Sequence, residues 1–149
     1  MKKILISLDN SEHSLFSLRL ASKLAKSIKA TVVGCHVYAA RLHNDRFKEM
    51  EATLPQRYRN EEELSRQREI HSTLITKGLK LISDSYMEPA AKLCASFDVE
   101  FTPVSREGKN YIEILKEAAE NDYFLTVLGA LGIGKVPSST LGSVTERVL

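Results

Sequence analysis

The sequence predicts an α/β fold: a single domain over residues 1–149, with an open, doubly wound parallel sheet that carries helices on both faces. Three observations predict it. Short apolar runs alternate with longer segments in which apolar residues recur every three to four positions. The first run, helix and run make a βαβ unit, whose two strands are parallel. No internal repeat and no Gly/Ser-rich linker divides the 149 residues, which is the length of one ordinary domain.

The first βαβ unit starts close to the N-terminus. Residues 4–8 are an apolar run that ends at Asp9, which suits a strand buried on both faces. Ser11 can cap the helix predicted over residues 12–29, whose apolar positions follow helical spacing. Residues 31–38 are rich in β-branched side chains and predict the second strand.

Residues 39–60 lose this periodicity. Between positions 41 and 71 seven basic side chains are matched by seven acidic ones, so we expect a solvated, mobile insertion at 39–60. Helical spacing returns after Asn60. Pro89 either kinks this helix or starts a separate one, because proline breaks the hydrogen bonding of a helix interior but is accepted in a first turn.

The rest of the chain predicts two more strands and two more helices. Residues 99–103 alternate apolar and polar, and Pro103 predicts an edge strand because proline cannot donate to a ladder. Residues 108–121 predict a helix, and residues 123–128 a strongly apolar strand. The helix should turn inward the side chains of Ile112, Leu115 and Ala119.

The sequence ends soon after Gly142, where a last, short helix begins. A doubly wound sheet would normally continue with a fifth strand, and none follows in this sequence. We therefore expect a truncated chain, a larger parent chain, or a sheet edge completed by a partner.

Composition and charge exclude several classes of protein. The formal charge of +2 is too small for a dedicated nucleic-acid binder. The N-terminal apolar run is shorter than that of a signal peptide, and no stretch is long enough to span a membrane. Cys35 and Cys94 are too few for a disulfide framework, and His36 beside Cys35 reads as an outward and inward strand pair rather than a metal site. The default compartment is the cytoplasm.

A glycine-rich loop over residues 129–144 carries the functional signal. Glycines let backbone amides approach a ligand, and the free amides at the start of a helix favour phosphate. Ser143 adds a hydroxyl donor. Ligands in such sheets bind beyond the carboxyl ends of the strands, and Asp9 ends the first strand as Gly129 ends the last. If these two strands are neighbours, Asp9 and the loop face one crevice.

At these residues the chain resembles the universal stress protein family. The family pattern is a glycine, two residues, a glycine, nine residues, a glycine and then serine or threonine, which Gly129, Gly132, Gly142 and Ser143 follow without a gap. Residues 4–12 and 142–148 are also similar to the family. The resemblance covers most of the chain apart from residues 39–75 and the fifth strand.

The resemblance implies an ATP site. In that site Asp9 would face the ribose and the backbone of Val37 would face adenine. Leu128 would line the base or ribose. The residues implied around the phosphates are Gly129, Gly132, Gly142, Ser143 and Val144. A Mg²⁺ or Mn²⁺ ion would be bound through those phosphates. Family members commonly form homodimers through their last strand, so the resemblance implies a homodimer without giving its contact here.

Two other nucleotide-binding patterns fit less well. Residues 129–135 match most of a Walker A sequence, but Val136 offers no oxygen to magnesium and Pro137 is a poor helix continuation, so Lys135 reads as solvated. Adenylating enzymes of the ATP pyrophosphatase type carry a glycine-rich loop after the first strand, and residues 7–11 contain no glycine.

No general base, metal cluster or nucleophile–histidine pair stands out near the loop. The sequence therefore predicts a nucleotide sensor with at most slow ATP hydrolysis and an unknown protein partner. The alternative is a nucleotide-free stress or scaffold domain that works through dimerisation.

Overall fold

Four parallel strands form one sheet in the order β3-β2-β1-β4 in this computed structural model, which describes residues 1–134, 138 and 140–149. The strands are β1 (Lys3–Ser7), β2 (Thr31–Tyr38), β3 (Phe101–Glu107) and β4 (Leu125–Val127). The helices are α1 (Glu12–Ile28), α2 (Ala40–Glu51), α3 (Glu61–Ala95), α4 (Asn110–Glu120) and α5 (Ser143–Val148), with a 3₁₀ turn at Gln56–Tyr58. The sequence interpretations of Lys135, Val136 and Pro137 lie outside the described residues.

The sheet has an apolar layer on each face, as the doubly wound prediction requires. Ile4 and Ile6 of β1 pack toward α1 and α3, whereas Leu5 between them packs toward α4, and all three are fully buried. On the α4 side, Ile114 and Val144 complete the second layer. A strand with two buried faces needs the continuous apolar run that residues 4–8 supply.

The order of the strands reverses beside β1. The chain runs from β1 outward to β2 and β3, and then returns to place β4 on the other side of β1, where Ile4 pairs with Leu125. The neighbourhood of the first and last strands is therefore confirmed, and so is the edge position of the strand that holds Pro103. Within the described ranges no strand pairs with the outer side of β4.

The insertion at 39–60 contains a helix. Twelve residues form α2, which packs along the N-terminal half of α3: Asn44 Nδ2 donates to Ser72 Oγ at 3.1 Å, and the rings of Phe47 and His71 stack with centroids 4.2 Å apart. The sequence pattern was too weak to show α2 because only Ala40 on it is buried. The mobility of this segment stays a prediction.

Two further predictions are decided by α3 and α4. Pro89 lies inside α3, so it does not start a separate helix. The inward face of α4 was predicted wrongly: Ile112 and Leu115 are 36% and 41% exposed, and Ala119 is exposed as well. The residues buried on α4 are Glu113, Ile114 and Glu117.

The α4 helix turns acidic side chains inward because they form ion pairs with an arginine on β3. Arg106 Nη1 donates to Glu117 Oε2 at 2.7 Å, and Arg106 Nε donates to Glu113 Oε2 at 3.2 Å. The Tyr123 hydroxyl also donates to Glu117, at 2.7 Å. Charge-assisted hydrogen bonds thus outweigh the apolar periodicity that the sequence shows for this helix.

None of the helices described here has the length and apolar character needed to cross a bilayer.

Candidate functional site

A cavity of about 520 Å³ opens at the carboxyl edge of the sheet, where β1, β2 and β4 end. Its volume is in the range of small-molecule sites, which is roughly 300–1,000 Å³. All eight residues singled out in the sequence line it: Asp9, Val37, Leu128, Gly129, Gly132, Gly142, Ser143 and Val144. The structure therefore brings together residues that are up to 135 positions apart in the chain.

Asp9 is held in place by backbone amides on two sides. Its Oδ1 accepts from Ser11 N at 3.0 Å, and its Oδ2 accepts from Ile133 N at 3.2 Å. The turn between β1 and α1 needs a left-handed residue, which Asn10 supplies with a φ of 60°. Ser11 then caps α1 as predicted, accepting from Ser14 N at 3.1 Å. The carboxylate thus faces the glycine loop from a fixed position.

Three of the four glycines of the loop make close approaches to other parts of the chain. A Cβ on Gly132 would lie 2.7 Å from Asp9 Oδ2, and one on Gly129 would lie 3.0 Å from the Ser14 backbone nitrogen. A Cβ on Gly142 would lie 3.2 Å from Gly132 N. The loop therefore folds against the first turn of α1 and against itself only because these positions lack side chains.

The start of α5 adds backbone donors to the cavity. Gly142 N is used within the loop, where it donates to Ala130 O at 2.7 Å, and Thr145 Oγ1 donates to Gly129 O at 2.7 Å. The next amides, those of Ser143 and Val144, belong to the first turn of α5 and have no carbonyl four residues earlier within the helix. Because α5 has only six residues, its donors matter more than its macrodipole.

The opposite end of the cavity is mainly apolar. Val37 from β2 and Ile114 from α4 are 9% and 2% exposed, and Leu128 completes this wall. Asn110, the first residue of α4, contributes an amide at the rim. Such a wall suits the flat, apolar faces of a purine ring, with the polar groups at its edge.

His36 also lines this end, which the sequence analysis missed. As expected for adjacent strand residues, Cys35 is buried toward α4 while His36 points to the other face, where its ring meets that of Tyr86 edge-on at 4.9 Å. His36 Nδ1 is buried with no partner among the described residues. Burial lowers the pKa of His36 below its ordinary value of 6.5, against the opposing effect of Asp9.

Two of the missed residues share one signal. His36 and Asn110 follow or end strands at the carboxyl edge of the sheet, the same rule that pointed to Asp9 and Gly129. Tyr86 carried no such signal, because it comes from the middle of α3 and reaches the cavity only through the packing of that helix.

The cysteines have no place in this chemistry. Both are free and buried. Burial raises the pKa of Cys35 to about 12, and it raises the pKa of Cys94 above its ordinary value. Thiolate, the reactive form, is therefore scarce at neutral pH. Within the described residues no group of three or more His, Cys, Asp or Glu side chains is arranged to hold a metal ion.

Comparison with known proteins gives one consistent result. Residues 1–149 match the sequence model of the universal stress protein family. A universal stress protein from Lactobacillus plantarum superposes with a TM-score of 0.73 at 17% identity, over 99% of this chain and 89% of that one. No protein of curated function matches the chain.

Two of the similar structures were solved with nucleotides. A universal stress protein in complex with cAMP has a TM-score of 0.60 at 15% identity, over 99% of this chain and 87% of that one. The universal stress protein from Archaeoglobus fulgidus in complex with dAMP has a TM-score of 0.58 at 16% identity, over 99% and 89%. At these identities the likeness concerns the fold.

Proposed function

The chain belongs to the universal stress protein family, and on that premise we propose that it binds ATP in the cavity at the carboxyl edge of the sheet and acts as a nucleotide-dependent sensor. One observation carries the proposal: the eight residues selected from the sequence surround a single cavity, with Asp9 opposite the glycine loop. The complexes of two family members with cAMP and dAMP support adenine nucleotides as the ligand class.

The proposed roles follow the polarity of the cavity. Adenine lies against the apolar wall, with the backbone of Val37 at its edge and Leu128 against the base or ribose. Asp9 accepts hydrogen bonds from the ribose hydroxyls. The phosphates are surrounded by backbone amides and the Ser143 hydroxyl. The residues that supply these amides are Gly129, Gly132, Gly142, Ser143 and Val144.

We propose that Mg²⁺ or Mn²⁺ enters with ATP and is bound through its phosphates. Both ions accept phosphate oxygens and water as ligands, so such a site needs few protein side chains. ATP binding that is weakened by removal of the divalent ion would support it.

Sensing rather than rapid catalysis is proposed because two hydroxyls of the cavity, those of Ser14 and Thr145, already donate to backbone carbonyls. Ser14 Oγ donates to Ser7 O at 3.3 Å, and Thr145 Oγ1 donates to Gly129 O. Among the described residues no hydroxyl of the cavity is hydrogen-bonded to a histidine, the pairing that activates a nucleophile. Hydrolysis of many ATP per second by the pure protein would contradict a sensor.

The decisive measurement is calorimetric titration with ATP, ADP and AMP, together with a test for nucleotide that co-purifies with the protein. Gly132→Val should abolish binding, since its side chain would collide with Asp9. Gly134→Ala is the matched control from the same loop, because a Cβ there meets no atom within 4 Å. Absence of binding to the parent protein would reject the proposal.

A nucleotide-free scaffold remains the second candidate, and one observation favours it. Both oxygens of Asp9 already accept backbone amides, and the loop glycines pack against the protein itself. In that case the loop is a structural connection and the protein acts by self-association and through a protein partner. We propose a homodimer under either candidate, and the cytoplasm as its compartment, where two free thiols persist.

A further inference from the structure

The outer face of α3 carries apolar residues that nothing in the described chain covers. On the side toward the sheet, Ser83, Met87, Ala90 and Cys94 are buried. On the other side lie Ile70, Leu74 and Leu81, which are 46%, 65% and 71% exposed. Steps of four and seven residues put these positions on one face of a helix. We define the α3 stripe as Glu63, Ile70, Leu74, Gly78, Leu81 and Lys92.

The neighbouring helix does not cover this stripe. The contacts of α2 fall on another side of α3, through Arg68, His71 and Ser72. Ile82 extends the exposed apolar surface at the edge of the stripe and is 44% exposed. Clustered large apolar side chains in water mark an interaction surface, whereas single ones do not.

Gly78 sits in the middle of the stripe and has no role within the protomer. A Cβ at this position would meet no atom within 4 Å. Glycine inside a helix costs about 1 kcal/mol relative to alanine, so this residue is unfavourable for the isolated chain. It becomes useful where a second helix crosses, because the missing side chain lets two helices approach closely.

The α3 stripe ends in opposite charges at equal distances from its apolar centre. Glu63 lies eleven residues before Leu74, and Lys92 lies eleven residues after Leu81. In an antiparallel pair of identical helices crossing near Gly78, each Glu63 faces the Lys92 of the other copy, which within its own helix also pairs with Glu88 at 2.6 Å. The two-fold rotation that relates such a pair also places each Leu74 beside the Leu81 and Ile82 of the other copy. The apolar centre of the stripe is therefore self-complementary as well.

We propose that a second copy of this chain docks on the α3 stripe, antiparallel and two-fold symmetric, with Gly78 at the crossing point. The contact from Glu63 to Lys92 is ~43 Å long at the helical rise. With a width of about 10 Å it covers roughly 430 Å² of each copy and 900 Å² in total, which is the size of a weak, reversible interface. Lys77 at the edge keeps its charge in water by extending its stem along the surface.

The first test measures the oligomeric state by sedimentation velocity from low to high micromolar protein. We expect a concentration-dependent dimer that Leu74→Ser weakens by about tenfold or more, since a buried leucine at such a contact contributes over 1 kcal/mol. Leu42→Ser is the control: Leu42 is 52% exposed, but it lies on α2. A monomer at every concentration, or equal weakening by both substitutions, would overturn the proposal.

The second test is a charge exchange that only an antiparallel homodimer explains. Glu63→Lys and Lys92→Glu should each weaken the dimer several-fold, and the double variant should restore it. Glu62→Lys makes the same charge change in the same turn of α3, outside the stripe, and should leave the dimer unchanged. A double variant weaker than both single variants would reject the antiparallel register.

The third test separates folding from association. Gly78→Gln should raise the melting temperature of the dilute protein, because it removes a helix-interior glycine at an open position. The same substitution should weaken the dimer, because the new side chain occupies the crossing point. A variant that is more stable and dimerises equally well would overturn the role of Gly78.

Discussion

The carboxylate of Asp9 and the backbone amide of Ile133 are joined by a 3.2 Å hydrogen bond across 124 residues of sequence. The bond ties the end of β1 to the glycine loop that follows β4. Since Asp9 Oδ1 is held by Ser11 N, a ligand that needs this carboxylate must share or replace the bond to the loop. Under the proposed function, ligand binding and the position of the loop are therefore coupled through one side chain.

We expect Asp9→Ala to lower the affinity for ATP by about tenfold or more, since it removes the acceptor proposed for the ribose. The fold should survive, because the substitution removes two hydrogen bonds of about 1 kcal/mol each at a partly exposed site. Calorimetric titration measures the affinity, and circular dichroism checks the fold. Asp45→Ala, an exposed aspartate on α2, is the matched control. Equal affinity in the two variants would remove Asp9 from the proposed site.

Arg106 should be among the most stabilising side chains of the protein. It donates to Glu113, Glu117 and Glu120, and the first two are 9% and 5% exposed. Arg106→Leu would leave Glu117 without its cation and Glu113 with Lys116 alone. Removing one partner of a buried ion pair costs about 3 to 5 kcal/mol. Urea unfolding measures the change.

The control for this prediction is Arg41→Leu. Arg41 pairs with Glu107 at 3.0 Å, but its side chain is 87% exposed. An exposed ion pair contributes less than about 1 kcal/mol. If both leucine variants lost the same stability, the cluster around Arg106 would have no special weight.

The Glu113 carboxylate should make the folded state sensitive to acid. Hydrogen bonds from Lys116 and then Arg106 hold the pKa of Glu113 below its ordinary value of 4.5. A carboxylate with a lowered folded pKa stabilises the protein above the unfolded pKa, and this contribution is lost as the pH falls through the lowered value. Unfolding free energy should thus fall below pH 4.5, and the fall should be smaller in Glu113→Gln. An identical pH profile would contradict this.

His36 should cause a second loss of stability on acidification, which begins at a higher pH than the loss due to Glu113. Because burial lowers its folded pKa below 6.5, the unfolded chain binds the proton more readily, and the protein is destabilised as the pH falls below that value. His36→Leu has no proton to take up and should flatten the profile between neutral pH and the acid range of the carboxylates. His43→Leu, on the exposed side of α2, should not. Thermal melts across this pH range measure both.

Patterns within each segment predicted most of this fold, and contacts between segments account for the errors. The buried β1 and the neighbourhood of Asp9 and Gly129 follow from apolar runs and sheet rules. The face of α4 does not, because Arg106 on another element selects which side is buried. The α2 helix was missed for the same reason, since its partners lie on α3.

Of the eight candidate residues around the cavity, Asp9, Gly129, Gly132, Gly142 and Ser143 came from strand ends and from one glycine pattern, both of which are local in sequence. The resemblance to the family supplied Val37, Leu128 and Val144. Tyr86 and Ile114 were out of reach because helix packing alone brings them there. His36 could have been predicted as a cavity residue. The sequence correctly indicated that His36 and Cys35 point to opposite faces of β2, but the position of His36 near the carboxyl end of β2 was not used.

A single helix, α3, joins the cavity to the α3 stripe. Tyr86 forms part of the cavity wall, and Leu81 projects from the far side of the same rod little more than one helical turn away. If both proposals hold, a ligand that shifts α3 at Tyr86 would also shift the surface offered to another copy. By linkage, if ligand binding changes the dimerisation constant by some factor, dimerisation must change the affinity for the ligand by the same factor. The protein's response to a small molecule would then depend on how much of the protein the cell contains.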